Sequence, residues 1–174
     1  MNAQNYTQKS LQAIQAAQQL TIQNQNQQIE QVHLLSALLQ QDGGLVPQLL
    51  KKMGISVESL DAAVTAEVNK LPRVTGSGRE ADRFYVSRQV DEALTKSAKS
   101  MKDDFVSVEH LLLALIDCAD NTLKDLFRTY NIKKEAVLQT LQTIRGNQRV
   151  TNDTPEDTYE ALEKSGAGLV KRAR

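Results

Sequence analysis

The 174-residue sequence has no tryptophan, one cysteine and three prolines, and aromatic residues make up only 4% of it. With Cys118 alone, no disulfide framework can staple the fold, and the chain suits a reducing cytoplasm. Cys118 follows a Leu-rich helical stretch and is read as a small packing residue rather than a reactive one. Net charge is missing as well: 21 basic and 21 acidic residues cancel to a formal +0, which argues against a nucleic-acid or polyanion binder. No apolar run reaches the roughly 20 residues of a membrane span. The Gln- and Asn-rich start also lacks the basic-then-apolar layout of a signal peptide. A soluble, cytoplasmic protein is therefore expected, with neither nucleic acid nor membrane as partner. Finally, no G-x-x-x-x-G-K-[ST] loop occurs, so there is no phosphate cradle and no reason to expect this chain to bind nucleotide or hydrolyse ATP.

What the sequence does have is 40% hydrophobic residues and a pattern written twice. Ile29-x-x-x-His33-Leu34-Leu35-Ser36-Ala37-Leu38-Leu39 returns as Val106-x-x-x-His110-Leu111-Leu112-Leu113-Ala114-Leu115-Ile116, an offset of 77 between positions 33 and 110. The same register, without gaps, lays Ala17 on Leu94, Val46 on Leu123, Leu49-Leu50 on Leu126-Phe127 and Gly54-Ile55 on Asn131-Ile132. A fixed period that keeps apolar positions while polar ones drift marks a duplicated structural unit. The fold class that follows is all-α: two tandem four-helix repeats related by pseudo-twofold symmetry, then a short C-terminal linker and partial helix.

The first repeat occupies residues 1–71. Leu11, Ile14, Ala17 and Leu20 recur at three-residue steps along one helical face, and the polar stretch Gln23 to Gln28 ends that helix. A second helix carries Val32, Leu35, Leu38 and Leu39 and stops at Gly43-Gly44; a third runs from Leu45 to Met53 and stops at Gly54. Ser56 is placed to cap a fourth, with Leu60, Val64 and Val68 on its buried face, and Pro72 forbids continuation. Residues 72–86 form a connector. The second repeat, 87–146, opens with Ser87 as a cap and a Val90, Leu94, Ala98, Met101 stripe. Ser107 caps its next helix, and Asn131 stands where the first repeat has Gly54. Residues 147–158 are a polar linker, and 159–174 are either a disordered tail or the first helix of a following domain.

The two histidines sit at equivalent repeat positions. A metal site needs ligands converging at about 2 Å, usually with Cys or carboxylate partners. Nothing local supplies them beside His33, so both are read as structural residues near helix starts. Asp103, Asp104, Glu109 and His110 form the densest ionisable cluster, yet acids around a Ser107 cap are explained by the unpaired N–H groups and dipole of a helix start. No catalytic, cofactor-binding or metal-binding residue is expected.

The doubled His-Leu-Leu-x-Ala-Leu, the segments Leu71-Pro72-x-Val74-x-Gly76 and Asp104-Phe105-Val106-Ser107-Val108-Glu109-His110-Leu111, and an exit at Tyr159-Glu160-Ala161-Leu162-Glu163-Lys164 resemble the amino-terminal Clp repeat domain of ClpB-type AAA+ chaperones and disaggregases. The exit departs from the family pattern: Ser165-Gly166-Ala167-Gly168 stands where an aromatic-Gly-x-Asp is usual. The resemblance implies a non-catalytic, mobile substrate-binding domain on a homohexameric motor. That motor's missing parts would bind ATP and magnesium and, with a DnaK-type chaperone, recover stress-aggregated proteins. It further implies that 159–174 begin the following ATPase domain, and that the isolated fragment is monomeric. The alternative is an adaptor-docking domain of a protease-feeding Clp ATPase of the ClpC or ClpA type.

Family positions linked to substrate handling fall on Thr7, Asp103 and Glu109; Thr7 can equally be an ordinary polar residue opening the first helix. From the residues themselves, capture of unfolded chains needs exposed apolar surface flanked by polar groups. Phe84-Tyr85-Val86, at the connector's end and ahead of Val90, offers it, with Tyr6 and Leu11 beside it if the two first helices are adjacent. The same residues would serve as a plug between the repeats, and that reading stays open.

Overall fold

The structure, a computed structural model, describes residues 6–74, 86–100 and 105–145. Among them it has eight helices and, outside the helices, two isolated β-bridges. The first repeat contributes α1 (Gln8–Gln23), α2 (Gln31–Gln40), α3 (Leu45–Lys52) and α4 (Val57–Lys70). The second contributes α5 (Arg88–Ser100), α6 (Val108–Asp117), α7 (Asn121–Thr129) and α8 (Lys134–Arg145).

Side-chain oxygens at the helix starts accept the orphan N–H groups. Thr7 takes Ser10 N at 3.2 Å, Ser56 takes Ser59 N at 3.3 Å, Ser87 takes Val90 N at 3.2 Å and Asp120 takes Leu123 N at 2.9 Å. At the ends of α3 and α7 the chain turns through the left-handed region, with φ +80° at Gly54 and +57° at Asn131. The closing bonds are alike: Ile55 N donates to Leu50 O at 3.0 Å, and Ile132 N to Phe127 O at 2.8 Å. A glycine and an asparagine thus do one job at equivalent positions.

The repeated motif builds the centre. Leu35, Leu38, Leu49, Leu50 and Leu60 are fully buried with Leu111, Leu112, Leu115 and Leu123, and α2 and α3 pack against α6 across the repeat boundary. Burying a Leu side chain is worth about 2 kcal/mol, so this shared core explains why two small units are stable together.

The gapless 77-residue register fails at the first helices. Thr7 and Ser87 are the equivalent caps, at positions 80 apart, because each donates its backbone N–H to the residue before the other repeat's second-helix cap: Thr7 to Val106 O at 2.9 Å and Ser87 to Ile29 O at 3.0 Å. From Gln8 to Gln31 is 23 residues, but from Arg88 to Val108 only 20, so the first repeat is three residues longer here. Ala17 therefore answers to Ser97, not Leu94. The buried sets then match: Ser10, Ala13, Ile14 and Ala17 against Val90, Ala93, Leu94 and Ser97. The expected stripes are corrected accordingly. Leu11 and Leu20 are half-buried, Ala98 is exposed, and Met101 lies outside the described residues. Small residues face inward because they let α1 and α5 approach the centre closely.

Candidate functional site

The repeat junction is an exchange of straps. Tyr6 bridges Val106 and Val86 bridges Ile29, both in parallel, so the lead-in to each repeat's first helix is held by the other repeat. Ser10 Oγ adds a bond to Val106 O at 2.9 Å. Tyr6 is only 4% exposed, its hydroxyl 3.5 Å from Leu94 O, and burial pushes that hydroxyl's pKa above its ordinary value. In each bridge one partner, Val106 or Ile29, is the first residue of the repeated motif.

Each histidine completes the start of its helix. His33 Nδ1 accepts Glu30 N at 2.8 Å, and His110 Nδ1 accepts Ser107 N at 3.0 Å, while the Glu30 and Ser107 side chains accept the reciprocal N–H groups. Burial holds His33 down at about 4. It is therefore neutral near pH 7, with its Nε2 2.8 Å from Asn26 Oδ1.

The expected substrate-binding residues are scattered by burial. Tyr6, Thr7, Val90 and Glu109 are buried and form the frame rather than an open surface; Leu11 and Val86 are half-buried against the core. Phe84, Tyr85 and Asp103 lie outside the described residues. Glu109 faces Arg145 at 3.8 Å rather than a cleft. In the 77-residue register these two stand where the first repeat has the buried valines Val32 and Val68.

Open surface is found on the outer faces of both repeats. A groove of about 450 Å³ runs along α1 and the end of α2, where Ala16, Leu20 and Ala37 lie beside Lys9, Gln12 and Gln40. The corresponding groove on the second repeat, about 550 Å³, is lined by Asp91, Glu92, Thr95, Lys96, Lys99 and Cys118. Burial pushes the Cys118 thiol up, with Lys96 opposing. The two grooves are equivalent in position but differ in lining: the first carries amide and aliphatic groups with Lys9 and Asp42, the second two carboxylates and two lysines. Among the described residues no group of three or more His, Cys, Asp or Glu could hold a metal ion, and no helix is long and apolar enough to cross a membrane.

Sequence reasoning missed Gln31, which is fully buried. Its Nε2 donates to Cys118 O at 2.9 Å and Gln89 O at 3.2 Å, and its Oε1 accepts Asp120 N at 2.8 Å. One amide thus ties α2 to the second repeat at two places. The available signal was a polar residue at a register position where the other copy has Val108.

Comparison with known proteins agrees with this architecture. The family model for the Clp repeat (R) N-terminal domain matches residues 5–130. The chaperone protein ClpB of Bacillus cereus is 40% identical over 177 aligned residues, covering 100% of this chain and 20% of that protein. This chain thus spans about a fifth of the length of the curated relatives it matches. In structure it is similar to the Hsp104 N-terminal domain from Candida albicans, with TM-score 0.75 and 24% identity over 88% of this chain and 99% of the other. It is also similar to a ClpV N-domain in complex with a VipB peptide, with TM-score 0.58 and 19% identity over 79% of this chain and 85% of the other. By the breadth of the family match, this chain belongs to the Clp repeat (R) N-terminal domains.

Proposed function

We propose that this domain is a non-catalytic binding module that captures unfolded or aggregated polypeptide for a ClpB-type disaggregase. In the longer protein it would hand clients to a homohexameric motor that binds ATP and magnesium and works with a DnaK-type chaperone. The observation that carries the reading is the α1–α2 groove, where Ala16, Leu20 and Ala37 provide apolar contact and Gln12 and Gln40 provide amide groups for a client backbone. Unfolded chains share apolar side chains and unpaired backbone amides, and such a lining suits both without demanding a sequence. The similarity to ClpB chaperones along the whole chain supports the same reading, as does the peptide complex of the distantly related ClpV N-domain. Phe84, Tyr85 and Asp103, which lie outside the described residues, remain part of the proposed client-binding set on the sequence reading alone.

Affinity is expected to be weak, because an open groove of this size buries little area while the client loses conformational entropy. The test is a nuclear magnetic resonance titration of the chain with a carboxymethylated, permanently unfolded protein. Shift changes clustered on Gln12, Ala16, Leu20 and Gln40 are expected. Changes absent at high client concentration, or confined to the α3–α8 side, would reject the groove.

A further inference from the structure

We propose that the α1–α2 loop, residues 24–30, is a clamp that fixes where the inter-repeat connector departs, with His33 as its positioning residue. Val74 N donates to Gln25 O at 2.7 Å, and Asn26 Nδ2 donates to Pro72 O at 3.1 Å, so two consecutive loop residues hold the first residues of the connector. Gln25 does this at φ +54°. A non-glycine residue seldom takes that conformation, and it persists where the surroundings over-determine it.

The order of protons along the clamp is set by one bond. Glu30 N–H donates to His33 Nδ1, so the ring proton of the neutral histidine sits on Nε2. Nε2–H then donates to Asn26 Oδ1, which turns the Asn26 amide so that its Nδ2 meets Pro72 O. The start of α2 is thereby linked, atom by atom, to the departing chain. The returning end reaches the same loop separately, through Ser87 N to Ile29 O at 3.0 Å. The longer spacing between first and second helix starts belongs to the first repeat, which is the one with a connector to hold.

The consequence is that the two ends of the connector are held by separate bonds: the departing end by Gln25 O and by Asn26, which His33 orients, and the returning end by Ile29 O, without either of those side chains. Amide hydrogen exchange on the 174-residue chain tests this. His33→Gln retains an acceptor for the Glu30 N–H, as in an ordinary capping box, but has no second ring nitrogen to reach Asn26. In it and in Asn26→Ala, exchange at Val74 N–H should rise by about tenfold or more while Ser87 N–H stays within about twofold of wild type, as expected of local rather than global opening. Unchanged Val74 exchange in both variants overturns the proposal, as does an equal rise at Ser87. A nitrogen-15 spectrum placing the His33 proton on Nδ1 near pH 7 also overturns it. Should one variant fail to fold, the other gives the reading.

Discussion

Glu109 and Arg145 hold each other across 3.8 Å inside the second repeat, the carboxylate fully buried, at the two positions where the first repeat keeps Val32 and Val68. One framework thus carries an ion pair in one copy and two aliphatic residues in the other. Charges removed from water are costly to bury, and a buried pair returns little more than that cost; removing one partner strands the other. The first repeat supplies the natural replacement.

Arg145→Val alone should therefore destabilise the domain by about 3 kcal/mol, because it strands the fully buried Glu109 carboxylate, and Glu109→Val by less, because the Arg145 side chain it strands retains some exposure (11%) and reaches water. The double variant, copying Val32 and Val68, should recover most of the loss. Urea unfolding of the three variants measures this; a double variant as unstable as Glu109→Val would show that the valine pair does not transfer. Because Glu109 is also a proposed client-handling position, the stable double variant separates a binding defect from an unfolding one.

His33 gives the domain a pH dependence with a definite sign. Its folded pKa is held at about 4 against an ordinary 6.5, so between those values the unfolded chain binds a proton that the folded one refuses. Its contribution to stability is full above pH 6.5, is lost as pH falls toward 4, and is constant below that. The loss is about 3 kcal/mol across the window. Denaturant midpoints for wild type and His33→Gln should converge as pH falls through this range; parallel curves would contradict the assignment.

Gln31→Val, which copies Val108, should cost about 3 kcal/mol, because Cys118 O, Gln89 O and Asp120 N each lose a partner in a part-buried setting. Thermal unfolding measures it. A change within about 0.5 kcal/mol, the range of ordinary surface substitutions, would mean that water replaces the amide.

The fold was legible in the sequence where a residue type had a single physical use. Gly54 and Asn131 take the left-handed turn, Ser56 and Ser87 cap, and the motif leucines fill the centre, all at positions that the spacing marked. The first helices were legible only in part: Ile14, Ala17, Val90 and Leu94 are buried as read, but apolar periodicity weights large side chains and so passed over Ser10, Ala13, Ala93 and Ser97, which share the inward face, while Leu11 and Leu20 are displaced toward the outside. A buried serine satisfies itself on a nearby carbonyl, as Ser97 does with Leu94 O at 2.8 Å, and leaves no hydrophobic trace. The grooves were illegible for a related reason: they are defined by the gap between two helices, and the register error of three residues put the wrong side chains opposite each other.

Cys118 provides a reporter for the second groove, because it is half-buried there and lines the groove with Lys96, Lys99 and Glu92. Alkylation proceeds through the thiolate, so a thiol held above its ordinary value should react with iodoacetamide more slowly than a free cysteine at pH 7.5. Lys96→Ala removes the one cation that favours the thiolate and should slow the reaction further, while Glu92→Gln removes an opposing charge and should speed it. If unfolded client occupies this second groove as well as the first, saturating client should protect Cys118 in proportion to occupancy. If it occupies only the α1–α2 groove, the alkylation rate should stay constant while the Gln12 and Leu20 resonances move. The second groove carries two carboxylates and two lysines where the first has Lys9 and Asp42 beside its amides, so a client binding both at equal affinity would show that apolar area, rather than polar lining, governs capture.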